Sequence, residues 1–235
     1  DPNQGAGSAT YIAANMPESK IAVIYRNDDA YSQGIHDTFV KEATDKGAFE
    51  VVYEGTFTND TASDFSVQLT GAQTAGADLV FLPIYYQPAS VIFAQAKAMG
   101  YAPTFFGVDG MDGILTMPGF DASLAEGLML MTPFSATDEA NQAFVDAYTA
   151  AYGTEPNQFA ADGYDVIYAL YNAMTAAGIT GSESASEICT ALEAQFATMT
   201  IDGLTGTGMH WDENGMISKS PAAVVVENGV YVPMD

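Results

Sequence analysis

The chain has 235 residues, of which 48% are apolar and 11% aromatic, so it is long and apolar enough to bury one large core or two small ones. Thirty acidic residues against six lysines and arginines give a formal net charge of −24, which excludes the basic surface that nucleic-acid binding requires. We interpret this charge as a solvated acidic surface, with adaptation to high salt as the alternative.

The first half of the chain alternates between apolar strands and amphipathic helices. Strands are predicted at residues 21–25, 50–53, 79–82 and 104–106. These runs lack alternating polar positions, as expected for parallel strands that are covered on both faces. Helices are predicted between them at about 31–46, 63–76 and 87–100. Crossovers of this length favour a parallel, right-handed arrangement, so an α/β fold with a Rossmann-like parallel sheet is expected.

The second half begins with one more apolar strand, at 127–132, and continues with three consecutive helices at about 135–153, 157–177 and 184–197. In the long middle helix, the side chains predicted to face inward are Tyr164, Ile167, Leu170, Tyr171 and Met174. The tail is rich in β-strand residues, and Asn-Gly pairs at 214–215 and 228–229 predict two hairpin turns.

This pattern predicts three segments. Residues 1–133 form a first, ligand-binding lobe, and residues 134–200 form helices that belong to a partial second lobe. Residues 201–235 form a β-rich tail that packs back on the first lobe.

Sequence motifs of common enzymes are absent. The chain contains no Gly-x-Ser-x-Gly, His-Glu-x-x-His or Gly-Lys-Ser/Thr motif, and we predict neither catalytic residues nor a cofactor nor a metal site. The single cysteine, Cys189, lies in a helical pattern and is predicted to be a buried, unreactive thiol.

Three side chains that follow strand ends are the candidate ligand contacts. Tyr31, Tyr86 and Asp109 lie where ligands bind in open parallel sheets, just beyond the carboxyl ends of the strands. Asp109 stands between Val108 and Gly110, where burial is expected, and a buried carboxylate needs a cationic or hydrogen-bonding partner. The ammonium group of a ligand would meet this need.

A competing hypothesis uses acidic residues only. Asp28 and Asp29 follow the first strand, and together with Asp109 they could hold Mg²⁺ in a flavodoxin-like enzyme or signalling domain.

Several short segments, in their order and spacing, resemble those of a known family. They are Asp1-Pro2-Asn3-Gln4-Gly5, Asp29-Ala30-Tyr31-Ser32-Gln33-Gly34, Asp64-Phe65-Ser66, Tyr86-Gln87-Pro88, Phe106-Gly107-Val108-Asp109-Gly110, Ala125-Glu126-Gly127 and Trp211-Asp212-Glu213-Asn214-Gly215. Over nearly its whole length, the chain resembles the branched-chain amino-acid-binding proteins of ABC transporters. These belong to the periplasmic-binding-protein type I group, which also includes extracellular receptors.

The resemblance implies a function. The chain would be part of an extracytoplasmic solute-binding protein, free in a periplasm or lipid-anchored, that delivers an apolar amino acid to the membrane permease of an ABC importer. In the family, the residues matching Tyr31, Tyr86 and Asp109 contact the amino group of the ligand, and an aromatic residue matching Phe159 lines its side-chain pocket. The family acid is often Glu, so Asp109 shortens the reach by one methylene. A sensory receptor ectodomain with the same fold is the remaining alternative.

The chain also departs from the family pattern. Family members begin with a βα lobe that holds the ligand carboxylate, and the resemblance implies that the opening part of this lobe is missing here. Without it, the helices of residues 135–197 would expose an apolar patch, formed by Phe144, Tyr148, Ile167, Leu170 and Tyr171. We therefore expect a fragment that packs against another copy or rearranges.

Overall fold

The computed structural model describes residues 2–47, 49–219 and 221–234. The chain divides into two compact units: a sheet unit, Asp1–Thr132 with Pro221–Asp235, and a helical unit, Pro133–Ser220. In the described residues, the strands are β1 Lys20–Arg26, β2 Glu50–Phe57, β3 Leu79–Leu82, β4 Thr104–Gly107, β5 Met129–Thr132, β6 Ile201–Gly203, β7 Gly206–Met209, β8 Ala222–Glu227 and β9 Val230–Pro233. The helices are α1 Pro2–Asn15, α2 Ala30–Lys46, α3 Ser66–Thr74, α4 Tyr86–Met99, α5 Gln142–Tyr152, α6 Gln158–Ala176 and α7 Ala185–Phe196.

The sheet unit contains a seven-stranded sheet in the order β2-β1-β3-β4-β5-β8-β9. The first five strands in the chain pair in parallel, which confirms the predicted α/β class. The last two strands, β8 and β9, extend the sheet in antiparallel fashion. Their connection is the predicted Asn228-Gly229 turn, where both residues have positive φ angles of 53° and 79°.

Both faces of this sheet are buried. Ala22 and Ile24 of β1 point into one hydrophobic cluster, and Ile21 and Val23 point into the other. The same alternation occurs in β3, because neighbouring side chains of a strand point to opposite faces. The strands therefore lack alternating polar residues because both faces of the sheet are buried.

Helix α1 is an element that the sequence analysis did not predict. It packs along α2, and the two helices meet at Gly5. A β-carbon at Gly5 would collide with the backbone oxygen of Ile35 and the hydroxyl of Thr38. Two glycines, Gly5 and Gly7, weaken the intrinsic helix propensity of this segment, so its helical state depends on packing against α2.

The helical unit consists of α5, α6, α7 and the small antiparallel pair β6–β7. The buried side chains of α6 are Gln158, Ala161, Asp165, Ala169 and Ala173. Asp165 accepts hydrogen bonds from the backbone N–H groups of Leu204 at 2.8 Å and Thr205 at 2.9 Å, and from the Thr205 hydroxyl at 2.7 Å. This carboxylate fixes the β6–β7 turn to the middle of α6.

The predicted inward face of α6 is wrong for four of its five residues. Tyr164, Ile167, Tyr171 and Met174 are exposed, and Leu170 is half-buried. The alanine face turns inward because small side chains allow close packing and because Asp165 finds its backbone donors there. Of the expected apolar patch, Ile167 and Tyr171 are exposed, whereas the side chains that lie half-buried are Phe144, Tyr148 and Leu170.

Two further details differ from the sequence predictions. Residues 201–209 form their own two-stranded sheet within the helical unit, whereas β8 and β9 join the large sheet. The Asn214-Gly215 turn is closed by an isolated bridge between Trp211 and Ile217 and not by a hairpin of two regular strands. The assignment of the two units to the lobes of a larger protein remains a prediction.

Cys189 is exposed, so its predicted burial is wrong. It lies on α7, a helix in which none of the described residues is buried.

Candidate functional site

Tyr31 and Asp109 meet at the carboxyl edge of the parallel sheet. Tyr31 is the second residue of α2, which follows β1, and Asp109 opens a short 3₁₀ turn that follows β4. The Tyr31 hydroxyl donates a hydrogen bond to a carboxylate oxygen of Asp109 and accepts one from the N–H of Gly110 at 2.9 Å. The N–H of Asp109 donates to the side-chain oxygen of Gln4 at 3.0 Å. The turn that carries the carboxylate is therefore held by α1 as well as by α2.

Gly110 permits the close approach of the tyrosine. A β-carbon at this position would lie 2.7 Å from the Tyr31 hydroxyl oxygen and 3.0 Å from the carbonyl oxygen of Ile84. A residue with a side chain would therefore push Tyr31 away from Asp109.

The Tyr31 hydroxyl is a permanent donor at neutral pH. Burial raises the pKa of Tyr31 far above its usual value, and the charge of Asp109 and the hydrogen bond to it raise the pKa further. The proton therefore stays on the tyrosine, which donates it in the hydrogen bond to Asp109. The carboxylate of Asp109, which is only partly buried, can accept further hydrogen bonds from a ligand.

The tyrosine that faces Tyr31 is Tyr85. The rings of Tyr31 and Tyr85 stack with their centroids 4.8 Å apart. Tyr85 immediately precedes α4 and is 40% exposed. Tyr86, the residue predicted from the sequence, is the first residue of α4 and packs against the hydrophobic core.

Both tyrosines were visible in the sequence, but the choice between them depends on where α4 begins. At the start of α4, neighbouring side chains point in different directions: Tyr85 lies at the sheet edge and Tyr86 points toward the core. Sequence position alone does not resolve a shift of one residue at an element boundary.

The acidic residues after β1 are engaged in other interactions. Asp28 accepts a hydrogen bond from Nε of Arg26 at 2.6 Å and one from the N–H of Asn59 at 3.1 Å, which lower its pKa. Asp29 caps α2 through the N–H of Ser32 at 3.2 Å. Among the described residues, no group of three or more histidine, cysteine or acidic side chains could hold a metal ion. The arrangement therefore does not support the Mg²⁺ hypothesis.

Phe159 lies in the helical unit. It is the second residue of α6, two residues after the Asn157 cap, and it is 43% exposed. Its side chain is accessible, as a ligand-contacting residue requires.

The chain matches the sequence profile of the periplasmic binding protein family over residues 1–229. It is 27% identical over 218 residues to the Leu/Ile/Val-binding protein of Escherichia coli K12, covering 92% of this chain and 55% of that protein. The leucine-specific-binding protein of Salmonella typhimurium gives the same identity and coverage. The chain thus spans about half the length of these relatives.

Solved structures give the same result. A leucine-binding protein from Thermotoga maritima superposes with a TM-score of 0.83 at 28% identity, covering 100% of this chain and 65% of that one. A branched-chain amino acid transporter substrate-binding protein from Streptococcus pneumoniae, solved with isoleucine, superposes with a TM-score of 0.78 at 28% identity, covering 97% and 62%. Within the described residues, no helix is both long and apolar enough to cross a membrane. The chain belongs to the periplasmic binding protein family.

Proposed function

We propose that the chain is the larger part of an extracytoplasmic solute-binding protein that binds an apolar amino acid of the branched-chain kind. The observation that carries this proposal is the Tyr31–Asp109 pair at the carboxyl edge of the sheet, with Tyr85 stacked beside it. A carboxylate held by a neutral donor, next to two aromatic rings, suits an ammonium group. Relatives named for leucine, isoleucine and valine support the choice of ligand.

Each residue has a distinct role in this proposal. Asp109 pairs with the α-ammonium group, and Tyr31 orients the carboxylate and forms one wall. Tyr85 takes the place that we predicted for Tyr86, because it faces Tyr31 and is accessible. Phe159 contacts the side chain of the ligand. The chain itself performs no catalysis, in keeping with the names of its relatives, which are binding proteins.

The proposed partner is the permease of an ABC importer. The structure from Streptococcus pneumoniae is named as a transporter substrate-binding protein, which supports this assignment. The location is then extracytoplasmic, in a periplasm or anchored by lipid to the outer cell surface. A receptor ectodomain with the same fold remains the second candidate.

A ligand-binding experiment with single-residue variants tests the site. Asp109→Asn should weaken leucine binding to this chain about a hundredfold, because the ammonium loses a charged acceptor worth up to about 3 kcal/mol. Tyr85→Ala should weaken it about tenfold, and Tyr86→Phe should change it little. Isothermal titration calorimetry with leucine, isoleucine and Mg²⁺ gives the affinities.

The outcomes separate the hypotheses. A strong loss of leucine affinity in Tyr86→Phe but not in Tyr85→Ala would support Tyr86, the residue predicted from the sequence, as the ligand contact. No response to any amino acid, or equal binding by wild type and Asp109→Asn, would contradict the proposed function.

Self-association is a further part of the proposal. Ile167, Tyr168 and Tyr171 are 64%, 51% and 65% exposed on α6, which is unusual for large apolar side chains at adjacent positions of one helix. We propose that a second copy covers this face when the chain is isolated. Light scattering over a concentration series should show association that Ile167→Ser with Tyr171→Ser reduces. A uniform monomer with low binding of a hydrophobic dye would contradict it.

A further inference from the structure

A cavity of about 490 Å³ lies in the sheet unit beside the Tyr31–Asp109 pair. Most of its wall is apolar, from Phe57, Ile84, Pro88, Val91 and Met117, and polar groups line the remainder. Its volume is in the range of small-molecule binding sites. Neither Tyr31 nor Asp109 lines it, so it is a space separate from the pair.

Tyr85 connects the cavity to the pair. Its ring stacks on Tyr31, and its side chain also lines the cavity. Burial raises the pKa of Tyr85, the charges of Asp29 and Asp109 raise it further, and Arg26 lowers it. The charges of Asp109 and Arg26 therefore both act on the pKa of the same Tyr85 hydroxyl.

Arg26 places hydrogen-bond donors at the cavity. It ends β1 and lines the cavity, and within the described residues its guanidinium makes one hydrogen bond, from Nε to Asp28. A guanidinium has five N–H donors, so the Nη donors remain for a ligand. Asp28 and Asp29 follow Arg26 in the sequence by two and three residues and offset its charge, so a neutral acceptor is favoured over an anion.

The sheet order sets the distance that a ligand must cover. Arg26 is on β1 and Asp109 follows β4, with β3 between these strands. Two strand spacings of about 4.8 Å separate the two backbones by roughly 10 Å. From this spacing, we expect a ligand whose ammonium lies at Asp109 to reach the cavity over Tyr85 only if its side chain is longer than that of leucine.

We infer that this cavity is a second side-chain subsite, which takes amino acids with a long apolar side chain that ends in a neutral hydrogen-bond acceptor. The inference rests on the proposed function, because Asp109 must hold the ammonium group. Phenylalanine fills the apolar part, and 4-acetylphenylalanine adds a carbonyl oxygen that Arg26 can bind. In 4-carboxyphenylalanine, the same position carries an anion that Asp28 and Asp29 repel.

Calorimetry on the 235-residue chain with leucine and these three aromatic amino acids tests the subsite. We expect 4-acetylphenylalanine to bind at least about tenfold more tightly than phenylalanine, and 4-carboxyphenylalanine to bind more weakly than the acetyl compound. Arg26→Met should lower the affinity for 4-acetylphenylalanine at least about tenfold more than the affinity for leucine. Ser90→Leu, a substitution on α4 that narrows the cavity, should weaken both the phenylalanine and the acetyl compound relative to leucine.

Asp109→Asn distinguishes the failure of the subsite from the failure of the proposed function. If leucine binds through Asp109 but neither Arg26→Met nor Ser90→Leu changes the order of ligands, the subsite is wrong and the proposed function stands. If 4-carboxyphenylalanine is the tightest ligand, the neutral-acceptor inference is wrong. If no amino acid binds, or Asp109→Asn binds all of them as wild type does, both are wrong.

Discussion

The two units of the chain distribute their large apolar side chains in opposite ways. In the sheet unit, Phe39, Phe81 and Phe106 are fully buried on one face of the sheet. In the helical unit, α6 buries alanines and exposes Ile167 and Tyr171. The sheet unit therefore carries a complete core that can position Tyr31 and Asp109 by itself, whereas the helical unit leaves an apolar face for another surface.

The largest expected effect is a difference in stability between two aromatic truncations. Phe81→Ala removes a fully buried ring that stacks on Phe39 and should lower the free energy of unfolding by about 3–5 kcal/mol. Tyr171→Ser, at a side chain that is 65% exposed, should change it by less than about 0.5 kcal/mol. Urea denaturation measures both. Equal effects would mean that the exposed face of α6 is covered, within the chain or by a second copy, and would remove the contrast between the units.

The next effect concerns the polar core of the helical unit. Asp165→Ala removes three acceptor contacts and should leave the N–H groups of Leu204 and Thr205 without partners, at a cost of about 3 kcal/mol. Amide hydrogen exchange should speed up at the β6–β7 turn, while β3 keeps its protection. Asp146→Ala, an exposed acid on α5, is the control. Unchanged exchange at Leu204 would show that Asp165 does not hold the turn.

A pair of glycine substitutions tests the packing of α1. Gly5→Ala should destabilise the sheet unit by about 1–3 kcal/mol, because the added carbon collides with α2. Gly7→Ala lies in the same helix, has open space around it, and should stabilise the helix by up to about 1 kcal/mol. Thermal unfolding compares the two variants. Destabilisation by both would show that α1 tolerates an added side chain at neither position.

The smallest expected effect is a loss of stability that appears only at alkaline pH. It comes from buried tyrosines of the sheet unit. Burial raises the pKa of Tyr101 to about 12, and that of Tyr31 still higher. A folded-state pKa above the unfolded value of about 10 means that the neutral hydroxyl stabilises the fold fully below pH 10. This stability is lost as the pH rises from about 10 through the folded pKa of each tyrosine. Urea midpoints at pH 8 and 11 should differ less for Tyr101→Phe than for wild type; an unchanged difference would exclude Tyr101 as a source.

The sequence predicted most elements of the sheet unit because their signals are local. The strand at residues 79–82 has the predicted bounds, and α2 begins within one residue of the predicted position and ends at the predicted Lys46, followed by Gly47. The signals are a run of apolar residues for the strand and a glycine in the left-handed conformation for the helix end. Each signal lies within a few consecutive residues and can be read without knowledge of the rest of the fold. The sequence also placed Tyr31 and Asp109 at the carboxyl edge of the sheet, because both residues follow strand ends, but it did not predict the hydrogen bond between them.

Other features depend on contacts between distant parts of the chain. Helix α1 exists because Gly5 allows close packing on α2, and the inward face of α6 is decided by Asp165 and the backbone of Thr205, 40 residues away. The predicted α6 face followed the larger apolar side chains, which is the usual rule for a helix on a complete core.

By itself, the sequence determined the α/β class, the order of strands and helices from β1 to β5, and the acid and tyrosine at the sheet edge, since each follows from local periodicity and position relative to a strand end. Only the tertiary structure decided that Tyr85 and not Tyr86 stacks on Tyr31, that Arg26 and Tyr85 line a common cavity, and that α6 turns its aromatic face outward. The physical reason is the same in each case. Successive side chains at a helix start point about 100° apart, so the residue that faces a given group depends on where the helix begins, which the packing of the whole unit decides. The same packing decides which side chains of non-adjacent strands meet.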